Sequence, residues 1–232
     1  MKTLLVASGK GGCGKTTTTS MLAQKLSEKF KVAVLDLDVC GPNLPQMMGM
    51  DDMTPFFDAD WFFTKKCGNV DVMSPAFLMP PEVACAWSGN KRMELIRELI
   101  MKTKWDDQDV LICDCPPGTG DEIIGVLKYM PRVDGVVLVT TGKHESVNDA
   151  LRLLSLVSNK IYNIPVLCVV ENMSHMVVDG SEIPLFTDGL DLKSEFGIEV
   201  VHEIWYKDDL CPDDYNDVAD VVIDRLGLGV EK

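Results

Sequence analysis

Short runs of uninterrupted Val, Ile and Leu alternate along this chain with longer segments in which apolar residues recur every three or four positions. The apolar runs at residues 3–8, 32–37, 70–74, 109–113, 135–140, 166–170 and 199–202 read as strands, and residues 16–29, 91–102, 121–130, 146–157, 190–195 and 217–226 read as helices. In the second of these helices Met93, Ile96, Leu99 and Ile100 fall on one stripe. Strands that are apolar throughout are covered on both faces, so the pattern predicts an α/β fold with a mainly parallel sheet flanked by helices. Residues 39–69 and 171–189, rich in Pro, Gly, Met and Asp, break the pattern and read as long loops with little regular structure. No repeat or linker divides the chain, which is taken as a single domain over residues 1–232.

Charge narrows the partners. With 22 basic against 36 acidic residues the formal net charge is -14, which argues against binding nucleic acid or an anionic membrane. A phosphate ligand must then be captured by a local site, because the global field repels it. Apolar Leu4 to Ala7 runs directly into a glycine stretch without a leader, and no run of 18 apolar residues occurs, so a cytoplasmic protein is expected. The eight cysteines are scattered without a C-x-x-C pair and read as reduced, mostly buried thiols.

The glycine stretch is GKGGCGKTT, residues 9–17. Its spacing Gly9-x4-Gly14-Lys15-Thr16, between a strand and a helix, satisfies the phosphate-loop pattern. Gly11, Gly12, Cys13 and Gly14 supply small residues whose backbone can turn around a polyphosphate; Lys15 reaches the terminal phosphates, Thr16 offers its hydroxyl to Mg2+, and Thr17 completes the cradle. In VLICDCPPGTGD a strand ends in Asp114, where a carboxylate can bind Mg2+ through water. In VAVLDLDVC, Asp36 and Asp38 fall two apart, on one face if the strand continues.

Lys10 in KGGCGKT resembles the signature lysine of the deviant Walker A ATPases, a superfamily that includes MinD, ParA, the nitrogenase iron protein and the Mrp/ApbC iron-sulfur carriers. The resemblance implies an ATP-sandwich homodimer in which Lys10 reaches the partner's nucleotide. It also implies that Asp38 is the switch carboxylate that orients the attacking water and touches the Mg2+ shell, with Asp36 as support. The stretches DLDVCGPNLP, MSPAFL with the later WSGNKR, DVLICDCPPGTGDE and VENMS resemble the Mrp/ApbC branch over most of the chain, and in that branch Asn172 would lie on the adenine. A MinD-like P-loop ATPase using ATP/ADP and Mg2+, with Lys10, Lys15 and Asp38 catalytic and a protein client in iron-sulfur assembly, is what this implies.

One departure cuts against the cluster. Carriers of this branch follow N-M-S with a C-P-x-C pair that holds a bridging [4Fe-4S] cluster, whereas this chain reads NMSHMVVDGSEIPLF, with Val178 and Ser181 about where the thiolates would be. Neither binds iron as a thiolate does, so an ATPase without the usual cluster is expected. Cys85, Cys113 and Cys115 are the candidate substitute ligands, set against a preferred reading as buried or incidental thiols. The main rival function is a MinD- or ParA-like ATPase that organises a protein partner; its membrane or DNA form would need basic surface that the acidic ending DVADVVIDRLGLGVEK does not offer. A small-molecule ligase on the same fold would need further acid-base residues, and no such constellation is found. Met47, Met48, Met50 and Met53, with Phe56, Phe57, Trp61, Phe62 and Phe63, read as a lid or core extension.

Overall fold

The computed structural model describes the chain except residues 55, 56, 80–82, 84, 85, 187, 199, 200 and 230–232, so Cys85 and Phe56 lie outside the described residues. Strands β1 (Lys2–Ala7) and β2 (Val32–Asp36) are followed by β3 (Phe62–Phe63), β4 (Lys65–Cys67), β5 (Val70–Met73), β6 (Thr103–Lys104), β7 (Val110–Asp114), β8 (Gly135–Thr140), β9 (Val166–Asn172), β10 (His175–Val178), β11 (Ser181–Pro184) and β12 (Val201–Ile204). Eight of them form one sheet in the order β12-β9-β8-β1-β7-β2-β5-β4, parallel except where β4 runs against β5. The helices are α1 (Lys15–Leu26), α2 (Leu44–Met47), α3 (Gly89–Lys102), α4 (Asp121–Tyr129), α5 (His144–Val157), α6 (Leu192–Phe196) and α7 (Asn216–Leu226). Every residue of β2, β5, β7 and β8 is buried, as strands covered on both faces must be. No helix among the described residues is long and apolar enough to cross a membrane.

Strand order builds the site. β1 lies between β7 and β8, and β7 lies between β1 and β2, with Val6 opposite Asp114 and Asp114 opposite Asp36. Three carboxyl ends therefore meet beside the loop that leaves β1, where an open α/β sheet takes its ligands.

The two segments read as featureless loops contain structure. Residues 171–189 hold the β10–β11 hairpin, closed by Asp179 and Gly180 at φ 51° and 78°. Two consecutive left-handed residues make the primed two-residue turn whose twist suits a hairpin, and Asp-Gly is a sequence signal for it. Residues 39–69 hold α2, β3 and β4; Met48 is buried, and Met50, Met53 and Phe62 pack against the core, so this region is a core extension. The second strand stops at Asp36, so Asp38 does not share a strand face with it: the Asp38 amide turns back to donate to Asp36 Oδ1 at 3.1 Å.

Gly9 is demanded by packing. A Cβ placed there would strike the backbone of Asp149 and Ala150, so α5 can approach the end of β1 only over a glycine. Gly9→Ala should cost about 1–3 kcal/mol as overpacking against backbone that cannot rotate away. The measurement is urea unfolding, with a lower midpoint and an unchanged slope expected; an unshifted midpoint would show that α5 simply moves aside.

Candidate functional site

The loop between β1 and α1 depends on two glycines in left-handed conformation, Gly12 at φ 82° and Gly14 at φ 84°. Gly14 is also the N-cap of α1, so the chain turns sharply into a 12-residue helix whose positive end faces the loop. A Cβ on Gly14 would run into the Asn172 side chain, and Asn172 Nδ2 donates to the Cys13 carbonyl at 3.0 Å. Asn172, more than 150 positions away in sequence, is thus locked onto the loop. The Cys13 thiol faces inward against Ser146 Oγ at 3.2 Å and is buried.

Beneath the loop is a buried ion pair. Lys15 Nζ lies 2.7 Å from Asp114 Oδ1, with Lys15 only 6% exposed and Asp114 fully buried. Thr19 Oγ1 donates to the same oxygen at 2.9 Å, and Thr16 Oγ1 donates to Asp114 Oδ2 at 2.7 Å. Burial pulls the Lys15 pKa down, but the attraction and hydrogen bond of Asp114 outweigh it and the net shift is upward, so the ammonium stays charged. The charge is held at the cleft with little exposure.

Asp36 lies beside this pair and is also fully buried, taking Ser74 Oγ at 2.8 Å on Oδ2. Burial, reinforced by Asp114, pushes its carboxyl well above the ordinary range. Asp38, beyond the strand, accepts from Gly41 N at 3.1 Å, and burial raises its pKa more than the nearby Lys15 lowers it. The turn after β7 is tied to the end of β1 by Gly118 N donating to Ser8 O at 2.9 Å.

A cleft of about 500 Å³ covers these groups. Gly11, Gly12, Gly14, Lys15, Thr16, Thr17, Asp38 and Asn172 all line it, so the structure brings together most of the residues singled out from the sequence. Asp114 supports the floor through Lys15 and Thr16. Lys10 is exposed, lines no part of this cleft and forms no ion pair among the described residues. Sequence reasoning missed Met173, Trp205, Tyr206, Lys207 and Leu210, which also line the cleft. The available signal was their place beyond the carboxyl ends of β9, for Met173, and β12, for the others, where ligands of such sheets sit. It also missed Thr19 and Ser74, whose roles arise only from tertiary contact.

Of the candidate substitute ligands, Cys85 lies outside the described residues and the other two are enclosed. Cys113 and Cys115 are fully buried, and burial raises both thiols, Cys113 well above its ordinary value, so neither presents a thiolate to a surface. Burial likewise pushes Cys168 up to about 12. Among the described residues no group of three or more His, Cys, Asp or Glu could hold a metal ion. Val178 and Ser181 stand directly opposite each other across the hairpin turn and are both exposed, a placement open to solvent but without sulfur.

The pattern of the family described as ParA: NUBPL iron-transfer P-loop NTPase matches residues 1–222. An iron-sulfur cluster carrier protein of Rickettsia felis is 36% identical over 205 residues, 88% of this chain and 61% of that protein. The carrier of Methanocaldococcus jannaschii is 35% identical over 210 residues, 87% of this chain and 71% of that one. The chain spans about three fifths of the length of the Rickettsia relative. Among solved structures, the Archaeoglobus fulgidus nucleotide-binding protein in complex with ADP superposes with a TM-score of 0.72 at 28% identity, covering 95% of this chain and 87% of the other. The cell division ATPase MinD of Pyrococcus furiosus gives 0.67 at 22% identity, covering 96% and 98%, a likeness of fold. The phosphate loop over a buried lysine–carboxylate pair and these matches lead to one assignment: the chain belongs to the NUBPL iron-transfer family of P-loop NTPases.

Proposed function

We propose that the chain is a Mg2+-ATP-binding and ATP-hydrolysing homodimeric switch of the Mrp type, a single cytoplasmic ATPase domain that serves a protein client in iron-sulfur assembly without a bridging cluster at its hairpin. The observation that carries the reading is the buried Lys15–Asp114 pair under a loop curled by Gly12 and Gly14. A charged ammonium held under a glycine loop, with a carboxylate as its hydrogen-bonded partner, is a poised anion site, since a terminal phosphate can replace that carboxylate as its partner. The acidic surface makes such a local cation necessary. Thr16, with Asp38 and Asp114 through water, would hold Mg2+, which supplies charge neutralisation for the phosphates.

Asn172 favours adenine as the base. Asn172 spends Nδ2 on the Cys13 carbonyl, which leaves its Oδ1 as an acceptor that suits an exocyclic amino group and opposes a carbonyl. Asp38, with its pKa raised, is suited to take up hydrogen bonds from an attacking water. Lys10, exposed and unpaired in its own subunit, is assigned to the partner's nucleotide, which makes the dimer part of the active site. The iron-sulfur connection rests on the carriers to which the chain is similar, and the valine and serine at the hairpin argue that it acts there as a nucleotide switch.

Three outcomes are expected. Lys15→Gln, which keeps a hydrogen-bond donor beside Asp114 and removes the charge, should abolish Mg-ATP binding in calorimetry while the protein remains folded; unchanged affinity would end the assignment. Lys10→Ala and Asp38→Ala should still bind ATP but turn it over at least about tenfold more slowly, a barrier increase of about 1.4 kcal/mol. A Lys10→Ala protein that keeps full turnover as a monomer removes both the trans lysine and the sandwich. After anaerobic reconstitution with iron and sulfide, the wild type should carry no stable cluster, and Val178→Cys with Ser181→Cys should create a site. About four irons per wild-type dimer, lost in Cys85→Ala, would restore the carrier reading with relocated ligands.

A further inference from the structure

Asp36 does not line the cleft, yet it is one of the most enclosed acidic groups among the described residues. Both of its oxygens are used to hold neighbours. Oδ1 accepts the Asp38 amide at 3.1 Å, where the chain leaves β2, and Oδ2 accepts Ser74 Oγ at 2.8 Å, where the chain leaves β5. Ser74 is itself fully buried, and its oxygen accepts the Ala76 amide at 3.2 Å, capping a 3-10 turn at Pro75–Phe77. One hydroxyl thus sets the plane of a carboxylate, and that carboxylate sets the first backbone group of the segment carrying Asp38.

We propose that Ser74 is a positioning residue for nucleotide hydrolysis, acting through the Asp36 carboxylate on the backbone amide of Asp38. The inference rests on the reading of Asp38 as the residue that orients the attacking water. Its logic is geometric. Asp38 follows the end of a strand with one intervening residue, so its side chain is aimed by its own backbone, and that backbone is bonded to Asp36. A carboxylate held at one oxygen only can rotate about its last bond, and the amide it holds moves with it. Serine suits the position: alanine cannot donate, and threonine would add a methyl group where no space is exposed. Nucleotide binding is carried by Lys15, Thr16 and the glycine loop, none of which touches Ser74, so loosening this chain of bonds affects turnover and leaves affinity alone.

The test is a series at residue 74, with Ser74→Cys keeping volume and weakening the donor, and Ser74→Ala removing it. Expected are a kcat lowered about tenfold in Ser74→Ala, an intermediate value in Ser74→Cys, and a KM for Mg-ATP within about twofold of wild type. In an Asp38→Ala background, Ser74→Ala should cost nothing further, whereas a merely structural loss would lower turnover in both backgrounds. Amide hydrogen exchange gives a readout independent of turnover: Asp38 N–H should exchange at least about tenfold faster in Ser74→Ala, with the β2 amides unchanged. Wild-type kcat or unaltered Asp38 protection in Ser74→Ala overturns the inference. Full turnover in Asp38→Ala, with faster Asp38 exchange still seen in Ser74→Ala, would sink the hydrolysis reading and leave the positioning contact standing.

Discussion

A lysine and an aspartate buried together have to be satisfied from every side, and in this protein that requirement organises the surrounding fold. Taking two charges out of water costs several kcal/mol each unless close geometry and further hydrogen bonds offset it. Asp114 receives three donors, the Lys15 ammonium and the hydroxyls of Thr16 and Thr19. All three come from the first turns of α1, so the helix must start where it does, and the glycine at φ 84° before Lys15 permits that start. Asp114 must also end a strand beside β1, which the insertion of β7 between β1 and β2 accomplishes. The same insertion brings Asp36 alongside, and a second carboxylate in that position needs its own donors from Ser74 and the Asp38 backbone. Loop shape, strand order and the placement of Asp38 are consequences of one desolvated pair.

Much of this was legible in the chain, for physical reasons. Uniformly apolar strands announce a sheet covered on both faces, and the residues of β8 at 135–140 could be read to their ends because Gly135 and Thr140 bound a run with no polar interruption. The phosphate loop was legible because its chemistry constrains consecutive residues, Gly12 through Thr16. The D-G turn of the hairpin was present but was outweighed by the polar and glycine content around it, although a local turn signal flanked by Met176, Val177, Val178 and Ile183 was the stronger evidence. Asp36 and Asp38 misled because period-two reasoning assumes that the strand continues, and here the first carboxylate terminates it by capturing the amide of the second.

The remainder depended on tertiary pairing. Trp205, Tyr206 and Lys207 follow a strand's carboxyl end, which is a general signal, but nothing in their spacing relates them to Asn172; they meet because β12 pairs with β9, Ile204 opposite Asn172. Ser74 is a small residue at a strand end, a role that thousands of serines fill with no carboxylate above them. Cys113 and Cys115 alternate about a functional aspartate in a way that invites a metal, and only burial on both sides of the sheet shows them to be inert.

The base of the hairpin and the nucleotide cleft are joined by backbone hydrogen bonds and by the His175 ring packed against Trp205. Ser174 N donates to Ile204 O at 3.1 Å, Leu185 N to Ser174 O at 3.0 Å, and Tyr206 N to His175 O at 2.7 Å, so the base of the hairpin is bonded to the strand exit that carries Trp205 and Tyr206 into the cleft. None of these bonds depends on the side chains at the tip. The turn at Asp179 and Gly180 is likewise set by backbone conformation, which a thiol at residue 178 or 181 would neither create nor disturb. A chain can therefore exchange what stands at the tip, sulfur or not, without altering the geometry of the hairpin base. The contacts between the two regions lie at the base of the hairpin, in main-chain hydrogen bonds and the His175–Trp205 ring pair, so the residues at the tip can vary while the hairpin keeps its shape.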